Sequence, residues 1–159
     1  MREIEVKATI TDRQAIITAI TNNGGKVSEP VSQHDRVYGL PDEAGIDYNT
    51  APWLRIRSET KGDTTKHYFT LKKSITNQMD SIEHETEVAD DNELEKIIVH
   101  MDFVPYSDLT KTRQKARIGD IEICIDQVDQ LGDFVEAEKM TADDADYQAV
   151  VDELWTVLE

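Results

Sequence analysis

Residues 3–10 read EIEVKATI, and apolar and polar side chains alternate along this stretch with a period of two. In a β-strand, successive side chains point to opposite faces of the sheet. The even positions therefore form an apolar face, and the odd positions, which begin with Glu3, Glu5 and Lys7, form an ionisable face. The chain is predicted to open with a strand that has one apolar side and one charged side.

The same alternation recurs along most of the chain. It predicts further strands at residues 26–38, 53–59, 66–73, 83–87, 110–118, 121–126 and 135–138. Apolar residues at helical spacing predict helices near residues 11–25, 91–102 and 143–158. In the first helix Thr11 is the expected N-cap, and Gly24 and Gly25 are expected to end it. Residues 39–52 predict one long loop, anchored by Tyr48 and Trp53.

The charge of the chain limits the kinds of partner that it can have. The 159 residues suit one domain over residues 1–159 and carry 33 acidic and 17 basic side chains, a formal net charge of −16. A general nucleic-acid binder needs Lys and Arg over a whole face, so no nucleic-acid partner is expected. No apolar run is long enough for a membrane span, and Cys124 has no second cysteine to pair with. A cytoplasmic location without a membrane partner is therefore the expectation.

A sheet with one charged face has two interpretations. In the first, the charged face is simply exposed to water and the apolar face covers the core. In the second, the strands close into a barrel whose charged faces point inward and whose apolar faces are covered by the helices. The charged faces carry both signs of charge, which favours the second interpretation. The predicted fold is α+β: a closed eight-stranded antiparallel β-barrel, or tunnel, with helices packed outside.

The residues predicted to line this tunnel suggest its contents. Five of them are acidic: Glu3, Glu5, Asp126, Glu136 and Glu138. Six of them are cationic: Lys7, Arg55, Arg57, Lys72, Lys111 and Arg113. Carboxylates without accompanying His or Cys suit Mg²⁺ or Mn²⁺, and converging Arg and Lys recognise phosphate oxygens. Confined charges need counterions, so the expected contents are a polyphosphate and a divalent metal.

The order and spacing of these residues resemble a known family. The motifs that carry the resemblance are Glu3-x-Glu5-x-Lys7, Gln33-x-Asp35-x-x-Tyr38, Leu54-Arg55-Ile56-Arg57, Thr70-Leu71-Lys72, Glu83-x-Glu85-x-Glu87, Lys111-x-Arg113 and Asp126-x-Val128-x-x-Leu131-Gly132-x-Phe134-Val135-Glu136-x-Glu138. Together they resemble the CYTH superfamily, the triphosphate tunnel metalloenzymes, which includes class IV adenylate cyclase and thiamine triphosphatase. The resemblance covers nearly the whole chain.

The resemblance implies a site as well as a fold. It implies that Glu3, Glu5, Asp126, Glu136 and Glu138 bind Mg²⁺ or Mn²⁺. It implies that Lys7, Arg55, Arg57, Lys72, Lys111 and Arg113 bind a triphosphate, with Lys7, Lys72, Lys111 and Arg113 as the catalytic cations. We expect Glu83, Glu85 and Glu87 to hold Arg and Lys side chains in place, with metal binding as the less favoured alternative.

The reaction itself has alternatives. The leading expectation is conversion of ATP to cyclic AMP and pyrophosphate, since Ala8 after Lys7 resembles class IV cyclases more than tripolyphosphatases. The alternative is a triphosphatase acting on tripolyphosphate, thiamine triphosphate or a nucleoside triphosphate. A polyphosphate-binding module without catalysis is the lesser alternative. In the cyclase a ribose hydroxyl attacks phosphorus, and in the triphosphatase a water does, so the same cations and metal serve both reactions.

Two departures from the family pattern are visible. Ser81 and Ile82 stand where the family often has an Arg, so one phosphate contact is expected to be missing unless Lys115 or Arg117 replaces it. Met101-Asp102-Phe103 stands where Leu-Gly-Phe is usual, a change expected to be structural only. A homodimer is left open, because the sequence shows no exposed apolar strip that requires a partner.

Overall fold

The computed structural model describes residues 1–42, 46–47 and 49–159. Strands and helices follow one another along the described chain as β1 (Arg2–Ile10), α1 (Arg13–Asn22), β2 (Val31–Gly39), β3 (Pro52–Lys61), β4 (Thr64–Asn77), β5 (Asp80–Val88), α2 (Asp91–His100), β6 (Val104–Ile118), β7 (Ile121–Val128), β8 (Gly132–Thr141) and α3 (Tyr147–Leu158). The strands close into an antiparallel barrel in the order β1-β5-β4-β3-β2-β6-β7-β8. The predicted fold class is confirmed.

Several element boundaries differ from the sequence prediction. Helix α1 is capped by Asp12, whose side chain accepts a hydrogen bond from Ala15 N at 2.9 Å, and not by Thr11. Strand β6 begins at Val104, six residues before the predicted start at residue 110, because its first half has no clean alternation to detect. Residues 43–45 and Tyr48 of the predicted loop lie outside the described residues.

One departure from the family pattern has a clear structural role. Asp102 joins α2 to β6 with a φ of 65°, a left-handed conformation that glycine adopts most easily. Aspartate is one of the few other residues that tolerate this conformation. The change at Asp102 therefore preserves the turn.

The chain divides into two compact units. Unit one consists of residues 1–31 and 111–159, and unit two consists of residues 32–110. Strand β6 contributes its C-terminal half to unit one and its N-terminal half to unit two. Within the described residues, no helix is long and apolar enough to span a membrane.

Unit one has a core between its strands and two helices. The apolar side chains of β1, β7 and β8 pack against α1 and α3 through buried residues that include Ile4, Val6, Ile125, Ala137 and Leu154. These strand residues are the apolar positions of the alternation that the sequence analysis identified. Their neighbours, which include the acidic residues, therefore lie on the face away from the helices.

Unit two has a smaller core beneath α2. Tyr38, Leu54, Ile56 and Ile98 are buried there. Helix α2 is also attached by Arg36, whose guanidinium donates to Asp91 at 2.6 Å and to Glu95 at 2.7 Å. The Tyr38 hydroxyl donates to the same Glu95 at 2.5 Å. Burial, followed by the hydrogen bond to Glu95, raises the pKa of Tyr38 well above its ordinary value.

The last helix packs through one side. Leu154 is fully buried, whereas its neighbour Trp155 is 39% exposed. The helical period explains the difference, because adjacent residues lie about 100° apart around the helix axis and cannot both face the core.

We expect Leu154→Ala to lower the free energy of unfolding by about 2–5 kcal/mol, because it removes a fully buried side chain and leaves a cavity. Thr156→Ala, on the exposed side of the same helix, is the matched control and should change it by about 0.5 kcal/mol or less. Urea denaturation followed by circular dichroism measures both. Equal effects of the two substitutions would contradict the described packing of α3.

Candidate functional site

The charged face of unit one is assembled by strand pairing. Strands β1 and β8 are antiparallel neighbours, and their register places Lys7 opposite Glu136 and Glu5 opposite Glu138. Strands β6 and β7 place Arg113 opposite Asp126. All of these side chains lie on the face away from α1 and α3, which is the interior of a closed barrel. The alternation in the sequence therefore produces a shared charged surface.

Arg113 is the centre of a buried network of ion pairs. Its Nε and Nη2 donate to the two carboxylate oxygens of Asp126 at 2.6 Å each, and Nη2 also donates to Glu136. Lys111 donates to Asp126 at 3.0 Å, and Lys7 donates to Glu136 at 2.7 Å. A guanidinium that binds a carboxylate through two parallel hydrogen bonds has a defined orientation. The network therefore holds three cations in place on one face.

The network changes the acidity of its members. Burial by itself would raise the pKa of Glu136, but the charges of Arg113, Lys111 and Lys7 outweigh it and hold that pKa well below its ordinary range. Burial opposes the charged form of Arg113 as well, and the hydrogen bond to Asp126 together with the charge of Glu136 raises its pKa. Both groups therefore stay ionised at neutral pH.

A second group of carboxylates lies nearby on the same face. Glu3, Glu5 and Glu138 each place a possible ligand atom within 4.8 Å of the others. Burial, followed by the negative charge of Glu3 and a hydrogen bond with Glu122, raises the pKa of Glu138 to about 8. Burial and the neighbouring carboxylates therefore favour the protonated form of Glu138 in the absence of a bound cation.

Glu122 and Cys124 border this acidic group. Together with Glu138 they form a second set of possible ligand atoms within 4.8 Å of one another. Lys115 donates a hydrogen bond to Glu122. Cys124 is fully buried, and burial raises the pKa of its thiol to about 12. The thiol is therefore protonated and shielded at neutral pH, as expected for a lining residue and not for a nucleophile.

The donor set of Glu3, Glu5 and Glu138 fits a hard divalent cation. All three side chains offer carboxylate oxygens, the ligands that Mg²⁺ and Mn²⁺ prefer. A bound cation would also stabilise the carboxylate form of Glu138, whose pKa is raised first by burial and then by the negative charge of Glu3.

Unit two carries its own charged network on β2 to β5. Arg57 donates to both carboxylate oxygens of Asp35 at 2.7 Å. Arg55 donates to Thr70 at 3.1 Å and to Glu83 and Glu85 at 3.3 Å each. The predicted role of Glu83 and Glu85 as partners of cations is confirmed by these contacts.

Lys72 is the third predicted cation of unit two. Its Nζ lies 3.7 Å from a carboxylate oxygen of Glu83 and 5.7 Å from the centre of the Trp53 ring. Trp53 therefore contacts a predicted phosphate-binding side chain in addition to bordering the loop. Glu87 instead pairs with Lys66 at an exposed position, 2.9 Å apart.

The structure separates the five predicted metal ligands into two sets. Glu3, Glu5 and Glu138 come together, whereas Asp126 and Glu136 are bonded to the cations of the Arg113 network. Sequence reasoning did not assign Glu122 to the site. The signal was present, because Glu122 lies four residues before Asp126 and so occupies the same face of β7.

Comparison with known proteins gives the family. A family model described as the CYTH domain matches residues 1–159. The chain belongs to the CYTH domain family. The match spans both compact units of this CYTH chain, and the resemblance seen in the sequence is confirmed.

Individual relatives have related names. The CYTH chain is 27% identical to a protein of Methanocaldococcus jannaschii that is named as a candidate adenylate cyclase, and the match covers 100% of this chain and 89% of that protein. A solved structure of a Pyrococcus horikoshii protein is similar with a TM-score of 0.81 at 22% identity, covering 98% of this chain and 88% of that one.

The description of a further solved structure names a triphosphatase activity in addition to a cyclase. It is a Hippeastrum protein described as a candidate adenylyl cyclase with a dominant triphosphatase activity. The TM-score is 0.60 at 17% identity, and the match covers 99% of this chain and 85% of that one. At this level of identity the similarity shows a shared fold.

We expect Glu138→Gln to remove a pH dependence of stability in the metal-free protein. The folded protein keeps the Glu138 proton up to a pH of about 8, whereas the unfolded chain releases it near 4.5. The contribution of Glu138 to the free energy of unfolding of the wild type therefore falls as the pH rises from about 5 to about 8. Glu138→Gln lacks this contribution, so the free energy of unfolding of the variant should rise relative to that of the wild type over the same range.

Urea denaturation in the presence of a chelator, at both ends of that pH range, measures this difference. Glu29→Gln, at an exposed position, is the control and should follow the wild-type curve. A Glu138→Gln curve parallel to that of the wild type would show that Glu138 does not hold a proton in the folded protein.

Proposed function

We propose that this CYTH protein is a divalent-metal-dependent enzyme that binds a triphosphate in its charged barrel, with conversion of ATP to cyclic AMP and pyrophosphate as its leading activity. One observation carries the proposal. The carboxylates of Glu3, Glu5 and Glu138 lie within 4.8 Å of one another and adjoin a network of cations, oriented by Asp126 and Glu136, on the same face of unit one. A metal complex of a triphosphate needs both kinds of partner.

Glu3, Glu5 and Glu138 are the proposed holders of the metal. Their oxygen atoms suit Mg²⁺ or Mn²⁺, which when bound would neutralise phosphate charge and orient the chain of phosphates. Deprotonation of Glu138 must accompany binding, because only the carboxylate is a ligand. Metal affinity should therefore rise with pH around the pKa of Glu138, about 8.

Lys7, Lys111 and Arg113 are the proposed phosphate contacts of unit one. Their N–H groups now donate to Glu136 and Asp126, and phosphate oxygens would accept from the same donors. Asp126 and Glu136 then act by positioning these cations, in addition to the metal-binding role that the resemblance implies for them. Charge that develops on the phosphates during the reaction would be stabilised by cations that are already oriented.

The remaining assignments are also proposals. Arg55, Arg57 and Lys72 of unit two are proposed as further phosphate contacts, with Lys72 among the catalytic cations. A cytoplasmic enzyme without nucleic-acid or membrane partners is also proposed, and the net charge of −16 disfavours a nucleic-acid partner.

A triphosphatase is the second candidate function. The Hippeastrum structure has this fold, and its description names a dominant triphosphatase activity. This description supports a triphosphatase as a candidate function. The name of the Methanocaldococcus relative supports the cyclase. The two reactions differ in the attacking oxygen, because a cyclase uses the ribose hydroxyl and a triphosphatase uses water.

Incubation of the purified protein with Mg²⁺ or Mn²⁺ and either ATP or tripolyphosphate, followed by chromatography of the products, separates these functions. We expect cyclic AMP and pyrophosphate from ATP. Orthophosphate from either substrate would instead establish a triphosphatase. Tight binding measured by calorimetry without any product would leave a polyphosphate-binding module, and neither binding nor product would overturn the proposal.

We expect Glu5→Gln to lower metal affinity roughly 10- to 100-fold and turnover with it, because it removes one charged ligand from the acidic group. The melting temperature with increasing Mn²⁺ measures the affinity independently of activity. Glu29→Gln should leave both quantities unchanged. Normal metal response and turnover in Glu5→Gln would exclude Glu5 as a ligand.

A further inference from the structure

Two buried serine side chains of unit two have unpaired hydroxyl groups. Ser74 of β4 is 3% exposed, and Ser81 of β5 is 1% exposed. The Oγ atom of each is itself buried and has no hydrogen-bond partner among the described residues. Burying a hydroxyl without a partner costs free energy, and nearly all buried polar groups of folded proteins are paired. An unpaired pair of hydroxyls therefore indicates a place where a ligand group binds.

Strand pairing brings the two hydroxyls to the same place. The register of β4 and β5 puts Ser74 opposite Ser81, and residues that are directly opposite have their side chains on the same face of the sheet. The Cα atoms of such partners are about 4.5–5.5 Å apart. The two hydroxyls nevertheless do not bond to each other. We name these two residues the serine pair, and both of its hydroxyls are available to one ligand group.

The serine pair lies on the face that carries the proposed phosphate contacts of unit two. Leu71 packs into the core beneath α2, so Lys72 and Ser74 are on the face of β4 away from that core in the case of both even positions. Lys72 precedes Ser74 by two residues, and its partner in the register, Glu83, follows Ser81 by two residues. Two residues of a strand span about 7 Å. A group attached to phosphates at Lys72 is therefore within reach of the serine pair.

The surroundings of the serine pair do not suit a further phosphate. Residues 74–82 contain no Lys or Arg, and their one acidic residue is Asp80, which is fully buried. Asp80 accepts a hydrogen bond from the Thr76 hydroxyl at 2.8 Å. A phosphate is anionic, so a neighbouring carboxylate repels it, and its ionised oxygens only accept hydrogen bonds. A serine hydroxyl both donates and accepts, and a neutral group that does the same fits this place better.

Arg55 on the same charged network has the complementary property. Its Nη2 donates to Thr70, Glu83 and Glu85, whereas its buried Nε has no partner among the described residues. An unpaired guanidinium N–H needs an acceptor, and a phosphate oxygen is a strong one. The network around Arg55 and Lys72 therefore favours an anionic acceptor, and the serine pair favours a neutral group that donates and accepts. One ligand with both parts satisfies both places.

We propose that Ser74 and Ser81 are specificity-determining residues that bind the sugar hydroxyls of a nucleoside triphosphate. This inference rests on the proposed function and adds to it the residues that select the substrate. A sugar hydroxyl can donate to one serine oxygen and accept from the other serine. In a nucleoside triphosphate the sugar is attached directly to the phosphate chain, whereas inorganic tripolyphosphate has no neutral hydroxyl-bearing group. The serine pair therefore favours the nucleotide over tripolyphosphate.

Calorimetry of the full chain with Mn²⁺ tests this assignment with two probes that cannot react: ATP and tripolyphosphate in which methylene groups replace both oxygens that bridge the phosphates. We expect Ser74→Ala and Ser81→Ala each to weaken binding of the ATP analogue roughly 3- to 10-fold, the effect of one lost hydrogen bond. Binding of the tripolyphosphate analogue should not change. Ser32→Ala, at an exposed position of β2, is the control and should change neither affinity. The 2′,3′-dideoxy form of the ATP analogue should bind equally to the wild type and to both variants.

Urea denaturation of the same proteins without ligand separates a binding role from a structural one. Because the hydroxyls are unpaired in the free protein, neither substitution should lower the free energy of unfolding. A clear loss of stability would overturn the proposal, since it would mean that the hydroxyls are already paired.

The binding results distinguish this inference from the proposed function. Equal weakening of both analogues, or no weakening of the ATP analogue, would overturn the role of the serine pair and leave triphosphate binding intact. A wild-type protein that binds neither analogue would overturn the proposed function and this inference with it.

Discussion

The structure of unit one depends on the burial of Arg113 between two carboxylates. Arg113 is 6% exposed, and Asp126 is fully buried. Removing one partner would leave a buried charge with fewer opposite charges around it, which is strongly destabilising in a poorly solvated place. The same pairing defines the chemistry, since a cation held by two carboxylates is already oriented for a phosphate. Stability and the proposed function therefore depend on the same contacts.

Around this network the balance of charge decides what can bind. The Arg113 network has three cations and two carboxylates, an excess of one positive charge, whereas Glu3, Glu5 and Glu138 bring three carboxylates together. One strand register thus produces two neighbouring environments from similar side chains. An anion suits the first and a cation suits the second. A metal–triphosphate complex provides both charges in one ligand. The charged face of unit one therefore supports the proposed function.

Much of this was predictable from the sequence because strand alternation is a local property. The charged and apolar faces of residues 3–10 and 121–126, the barrel and most of the site residues follow from a period of two. Boundaries were less predictable. The N-terminal half of β6 has exposed side chains on both faces, so it shows no alternation. The cap at Asp12 and the orientation of Trp155 depend on local backbone geometry, and several neighbouring residues fit the same sequence pattern equally well.

The sequence by itself determined the family, the charged face and the kinds of residue on it, because alternation and motif spacing are visible in the sequence alone. Only the tertiary structure decided which carboxylates meet each other and which meet cations. Glu136 and Glu138 are two residues apart on one strand, yet Lys7 and Arg113 hold the first while Glu3 and Glu122 border the second. The physical reason is that the pKa of a carboxylate depends on charges within a few ångströms, and those charges arrive from distant parts of the chain through strand register.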